Sequence, residues 1–242
     1  MRFVISISFV FLVLLSFSFT TIKKWEGNDK KETISNTSEA RFKAYVDCFY
    51  ESLNDNSLNY TAFEIGLRGY LELKAQNKLQ NDRYLTIIDM SVSANLERFF
   101  LIDVYNQQVV YKTLVAHGAN TGEEFASDFS NEESSHKSSI GFYLTGETYN
   151  GKHDFSLKLD GLEFSNSNAR ERGIVIHAAD YVSYDFIQEN GRLGRSYGCP
   201  ALPHQNYFDI ISKIKNNSCL FIYYPSKTYF ERSLFAKVTP TL

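Results

Sequence analysis

The chain has 242 residues, 43% hydrophobic and 15% aromatic, with a formal net charge of −3. That length allows one domain of ordinary size with additions and a substantial core, and a slight negative charge without basic tracts argues against nucleic-acid binding. Three cysteines without C-x-x-C spacing, and no paired histidines, argue against a structural zinc site.

Met1 and Arg2 precede an apolar run from Phe3 to Phe19 that ends before Lys23 and Lys24. A positive start before an apolar stretch reads as a secretory signal over residues 1–22. No A-x-A site follows, so an uncleaved membrane anchor through residues 3–20 stays open, at the short limit of a bilayer span. Either reading exports the rest of the chain to the periplasm or cell envelope, and no cysteine follows the run to make a lipoprotein. Residues 23–38, rich in Lys, Asp, Asn, Ser and Thr, read as a polar linker. Over residues 39–80 apolar side chains recur at helical spacing, and the break at Asn54, Asp55, Asn56 and Ser57 predicts two helices. Asn59 or Thr61 is placed to cap the second. These helices are expected to pack as a scaffold on the downstream domain.

Strand signals dominate residues 81–230. Residues 85–91, 99–105 and 109–116 read as consecutive antiparallel strands, with more at 140–145, 156–162, 174–177 and 220–224. Residues 180–189 and 205–216 have helical character, the latter with Tyr207, Ile210, Ile211 and Ile214 on one stripe. Residues 231–242 are left as a C-terminal tail. The expected architecture is a mainly β domain with helical decoration and an N-terminal helical segment.

The chemistry concentrates in G-R-S-Y-G-C-P-A-L-P, Gly194 to Pro203, downstream of His177. A thiol becomes a good nucleophile when a His, a cation or a helix N-terminus favours its thiolate; Arg192 and Arg195 bring positive charge close in sequence. Gly198 lets backbone N–H groups come close to a substrate oxygen. Pro200 biases Cys199 away from helical torsions and onto a tight loop. Cys48 and Cys219 read as small buried hydrophobes, and in an oxidising compartment a Cys48–Cys219 bridge would leave Cys199 free. From spacing alone, His177 is equally a satisfied core residue or a base. His117, in V-A-H-G, could line the same cleft. His136, His153 and His204 read as surface residues, and Glu163 as a solvated loop charge.

Ile174 to Val182 (I-V-I-H-A-A-D-Y-V) and Gly191 to Ala201 (G-R-L-G-R-S-Y-G-C-P-A) together resemble the L,D-transpeptidase catalytic domain, whose signature is a His followed by S-x-G-C. Ser196, Gly198, Cys199 and His177 match position by position, and S-x-G-C-P-A resembles the murein L,D-transpeptidase branch. Upstream segments from Arg98 to Tyr105, Val115 to Gly118 and Ser138 to Tyr149 follow the family's strand order. The resemblance implies a β-sandwich or barrel fold. It also implies Cys199 as nucleophile, His177 as general base, Ser196 as an orienting residue and the backbone of Tyr197 and Gly198 as oxyanion hole. Better-known members carry an aliphatic residue and an Arg after the cysteine, where this chain has Pro200 and Ala201. Arg195, Arg192 and His117 are therefore the candidates for substrate binding. The implied partners are peptidoglycan stem peptides, with no metal or organic cofactor and with carbapenem acylation of the thiol. The implied reaction is acyl transfer from a tetrapeptide stem through a Cys thioester to an amine, releasing D-alanine. An L,D-carboxypeptidase or endopeptidase with the same thioester, or a non-catalytic cell-wall-binding module, remain the alternatives.

Overall fold

The computed structural model describes residues 28–240, with side chains from Thr37 onward. The signal or anchor expected over residues 1–22 lies outside the described residues, among which no helix is long and apolar enough to cross a membrane. Helix α1 (Asn28–Leu53) begins inside the stretch read as a linker. Its Lys and Glu content makes that polar segment a competent helix former. Helix α2 (Tyr60–Ala75) starts at Asn59, whose side chain accepts from the Ala62 N–H as an N-cap.

The eight strands among the described residues are β1 (Tyr84–Asp89), β2 (Phe99–Asp103), β3 (Gln108–Thr113), β4 (Gly141–Gly151), β5 (Asp154–Gly161), β6 (Val175–Ala178), β7 (Ala201–Leu202) and β8 (Cys219–Tyr223). Helices α3 (Tyr184–Asn190), α4 (Tyr207–Ile214) and α5 (Lys227–Arg232) punctuate them. The strands form a single sheet in the order β3-β2-β1-β8-β4-β5-β6-β7. The β1–β8 and β6–β7 pairs are parallel. A bridge between Ala116, just beyond β3, and Ala201 of β7 joins the two edges, so the sheet is a nearly closed barrel. Closure satisfies edge groups that an open sheet would leave unpaired. It also brings the segment after β3 against the Cys199 loop.

One apolar core runs from α1 and α2 through β1, β2, β4 and β8 to α4. Helix α2 buries Ala62, Phe63, Leu67, Tyr70 and Leu73 at helical spacing. The Phe142 ring occupies the space where a Cβ on Gly69 would stand, so α2 lies directly on the sheet. In α4, Ile210, Ile211 and Ile214 are buried as the stripe predicts. A smaller cluster of Leu114, Ala116, Ala179, Val182, Leu193 and Ala201 underlies the Cys199 loop.

Three expectations are corrected. All three cysteines are free: Cys48 is exposed on the face of α1 opposite Phe42, Val46 and Phe49, while Cys219 is buried in β8. The Cys48–Cys219 pairing, which the sequence leaves open, is therefore not formed. Glu163 is buried, not solvated, because the C-terminal segment covers it. Its carboxylate accepts from the Phe142 N–H at 2.8 Å, the Tyr229 hydroxyl at 2.7 Å and the Ser233 hydroxyl, and burial pushes its carboxyl up. The region read as a tail thus begins inside α5 and supplies a buried Ser233 to the core.

Candidate active site

Cys199 sits on a turn tied at several points. The Ser196 hydroxyl accepts from the Gly198 N–H at 3.1 Å and donates to the Cys199 carbonyl at 2.6 Å, clamping the turn across its mouth. Ser196 orients the loop, not the imidazole. The Ser138 hydroxyl donates to the Gly198 carbonyl at 3.2 Å and accepts from the Gly118 N–H at 3.0 Å. Ser196 N–H donates to the His117 carbonyl, and Ala119 N–H to the Ser196 carbonyl, at 2.9 and 2.7 Å. Gly198 has φ +121°, a torsion that favours glycine, and a Cβ there would stand 2.8 Å from the Lys137 carbonyl oxygen. Because the Gly198 N–H already serves Ser196, it is not free for a substrate oxygen. Among the described residues, the Tyr197 and Cys199 N–H groups carry no hydrogen bond.

The thiol is partly exposed. Its sulfur accepts from the Val175 N–H at 3.5 Å and faces the Gly173 carbonyl at 3.7 Å. Burial pushes the Cys199 thiol up, opposed by the Val175 N–H and the Arg172 guanidinium. His177 pairs with Ala201 across β6 and β7, which places the imidazole and thiol on adjacent segments two register positions apart. No hydrogen bond joins thiol and ring. His177 Nδ1 lies 2.9 Å from the Ala178 carbonyl oxygen, which only accepts, so Nδ1 carries the ring proton and Nε2 is the basic nitrogen. Burial lowers the His177 imidazole below its ordinary value. The resting site is consequently a neutral thiol beside a neutral imidazole.

The other predicted residues are placed differently. His117 is fully buried and cannot line a cleft: Arg98 Nη2 donates to its Nδ1 at 2.8 Å, and Nε2–H donates to the Gly122 carbonyl at 3.2 Å. Burial and the Arg98 charge hold it down to about 4. Arg195 binds the Ala119 and Gly122 carbonyls and Glu123, and Arg192 also pairs with Glu123 at 2.9 Å. Both arginines brace the segment that carries His117 instead of standing open.

The cation beside the thiol is Arg172, from the loop before β6. Its guanidinium donates to the Ser130 carbonyl at 2.8 Å and the Lys137 carbonyl at 2.6 Å. The exposed Tyr197 ring packs tilted against His136 with ring centroids 4.4 Å apart. Together with Glu133, Glu171 and Arg172 these rings border a cavity of about 240 Å³. A second cavity, of about 450 Å³, opens at the other end of the β6–β7 pair beside Ala179, Asp180, Ser183 and His204. His153, read as a surface residue, is exposed but stacks on His177 with centroids 4.3 Å apart. No metal-binding cluster of His, Cys, Asp or Glu occurs among the described residues.

The family model of the L,D-transpeptidase catalytic domain matches residues 54–223, well over half of the chain. The protein belongs to the L,D-transpeptidase family. The family match takes in α2 as well as the barrel, and it ends at the last residue of β8. Among solved structures, the chain is similar to an L,D-transpeptidase from Mycobacterium smegmatis (10% identity, TM-score 0.39), the alignment covering 59% of each chain. It is also similar to the helical cell shape determining protein Pgp2 from Campylobacter jejuni (14% identity, TM-score 0.40), over 71% of this chain and 60% of that one. The chain thus spans less than two thirds of the length of either protein. No curated protein sequence matches it.

Proposed function

We propose that this L,D-transpeptidase domain acts through Cys199 as an acyltransferase on peptidoglycan stem peptides in the cell envelope. The observation that carries the reading is the incomplete satisfaction of His177. Its Nδ1–H is committed to Ala178 and its Nε2 has no hydrogen-bond partner, on the strand paired with the segment that carries the partly exposed Cys199 thiol on its clamped turn. Thiol and imidazole are both neutral at rest, so the proton moves as the bond forms instead of being handed over beforehand. Cys199 Sγ attacks the carbonyl of the third, L-configured residue of a tetrapeptide stem while His177 Nε2 takes the thiol proton. Catalytic hydrogen bonds commonly shorten only once substrate is bound.

The oxyanion is received by the free N–H groups of Tyr197 and Cys199, a class of contact worth about 3 to 4 kcal/mol. The C–N bond to D-alanine then breaks, and His177 returns the proton to the leaving amine. A side-chain amine of a second stem attacks the thioester and passes its proton to His177, and the thiol is restored. Arg172 stabilises negative charge on the sulfur as it leaves.

Purified protein and Cys199→Ala, incubated with tetrapeptide-stem muropeptides and analysed by mass spectrometry, test this. Cross-linked dimers that vanish in the variant support transfer. Tripeptide monomers reassign the site to hydrolysis, and unchanged substrate reassigns the chain to wall binding.

A further inference from the structure

We propose that His153 is a positioning residue of this site: lying flat on His177 at the tip of the β4–β5 hairpin, it fixes the plane of the base and sets a second ionisable ring against its face. The inference rests on the reading of His177 as the base.

The hairpin reaches the site because β4 and β5 stay paired down to Gly151 opposite Asp154, leaving Lys152 and His153 as its turn. Asp154, at φ +55°, takes the left-handed torsion that closes the turn, one that Asp tolerates better than most residues. The His153 and His177 rings stack with planes 27° apart. His153 lies on the solvent side and His177, only 3% exposed, lies beneath it. His177 has one hydrogen bond, through Nδ1, about which an unsupported ring would pivot. A flat ring laid on its face removes that freedom, and orientation of a reacting group strongly affects rate.

The stack also couples two ionisable rings. A proton on His153 would disfavour a second proton on the ring beneath it, which adds to the lowering of the His177 imidazole that burial causes. Other ionisable groups on the neighbouring elements are engaged elsewhere or stand off the ring. Lys158 of β5 pairs with Glu147 at 2.8 Å. On α4, Asp209 accepts from Tyr111 and lies 3.8 Å from Lys213. Lys152 and Asp154 flank His153 on the exposed tip, and the Cys199 thiol faces Gly173. His153 therefore keeps His177 free of its proton, and competent as a base, to lower pH.

The test is a histidine-selective NMR titration of the full chain as wild type, His153→Phe and His153→Ala, with kcat and KM measured against pH. Phenylalanine keeps the flat contact without the charge. The His177 midpoint should rise by about half a pH unit in His153→Phe, carrying the acid limb of kcat with it and leaving kcat at alkaline pH within about twofold of wild type. His153→Ala should lower kcat about tenfold at all pH with KM nearly constant. An unmoved His177 midpoint in His153→Phe, or wild-type kcat in His153→Ala, overturns the proposal. The NMR midpoint is read without substrate, so it decides the coupling of the two rings separately from whether muropeptides are turned over.

Discussion

His117 and His177 are both buried imidazoles, and both adjoin the segment that carries Cys199: the carbonyl of one holds Ser196, and the other pairs with Ala201. They differ in what is left over. Both ring nitrogens of His117 are committed, one to the Arg98 guanidinium and one to the Gly122 carbonyl, while His177 is held through Nδ1 alone. An imidazole with two fixed partners has no proton to trade and works as a structural strut. One with a single partner has a defined tautomer and a nitrogen to spare, which is what a general base requires. Residue type and burial are shared; the count of satisfied nitrogens is what supports the proposal of His177, and not His117, as the base.

The comparison is sharpest where it predicts opposite phenotypes. His177→Gln should reduce acyl transfer by about a thousandfold, within the range general-base removal produces, with little change in the unfolding midpoint. His117→Leu should do the reverse. It removes one acceptor from the fully buried Arg98 guanidinium, which keeps the Val92 and Val115 carbonyls, at about 2 kcal/mol of stability by chemical denaturation, and a smaller loss of turnover in the protein that remains folded. Equal effects of the two variants on both readouts would erase the distinction.

The same pair predicts a pH dependence. His117 is held down to about 4 in the fold, against an ordinary value of 6.5, so between those values the unfolded chain binds a proton that the folded chain does not. Stability is therefore complete above about pH 6.5 and falls as pH drops toward 4, by up to about 3 kcal/mol. His117→Leu should flatten that slope, and an unchanged slope would remove His117 as its source. The smallest expected effect is that of Ser196→Ala. Loss of the clamp on Gly198 N–H and the Cys199 carbonyl should cost about 1 kcal/mol of stability and lower turnover without altering the acid limb that His177 sets.

How much the sequence disclosed depends on how local each signal is. Asn59 as a cap, the α4 stripe and the β1–β2–β3 meander are written in short windows, and so is the Ser196–Cys199 turn. Strand β7 is two residues long and formed by closure of the barrel, so no periodicity could announce it. Arg172 and His153 join the site from the loop before β6 and from a hairpin tip; each is near Cys199 or His177 only after the sheet has formed. Glu163 reads as a loop charge because the residues that bury it, Tyr229 and Ser233, come from the far end of the chain. Arg192 and Arg195 are close to Cys199 in sequence yet turn to Glu123, since a guanidinium pairs with the carboxylate and carbonyls that the fold offers it.

The central claim is that Cys199 carries the acyl group. Intact-protein mass spectrometry of the chain mixed with a tetrapeptide-stem donor and no acceptor, followed by peptide mapping, tests it most directly. The expected result is a mass increase equal to the tripeptide acyl group, confined to the peptide containing Cys199, absent from Cys199→Ala and slowed in His177→Gln. Donor turnover with no adduct at Cys199, or with the adduct on another residue, would contradict it.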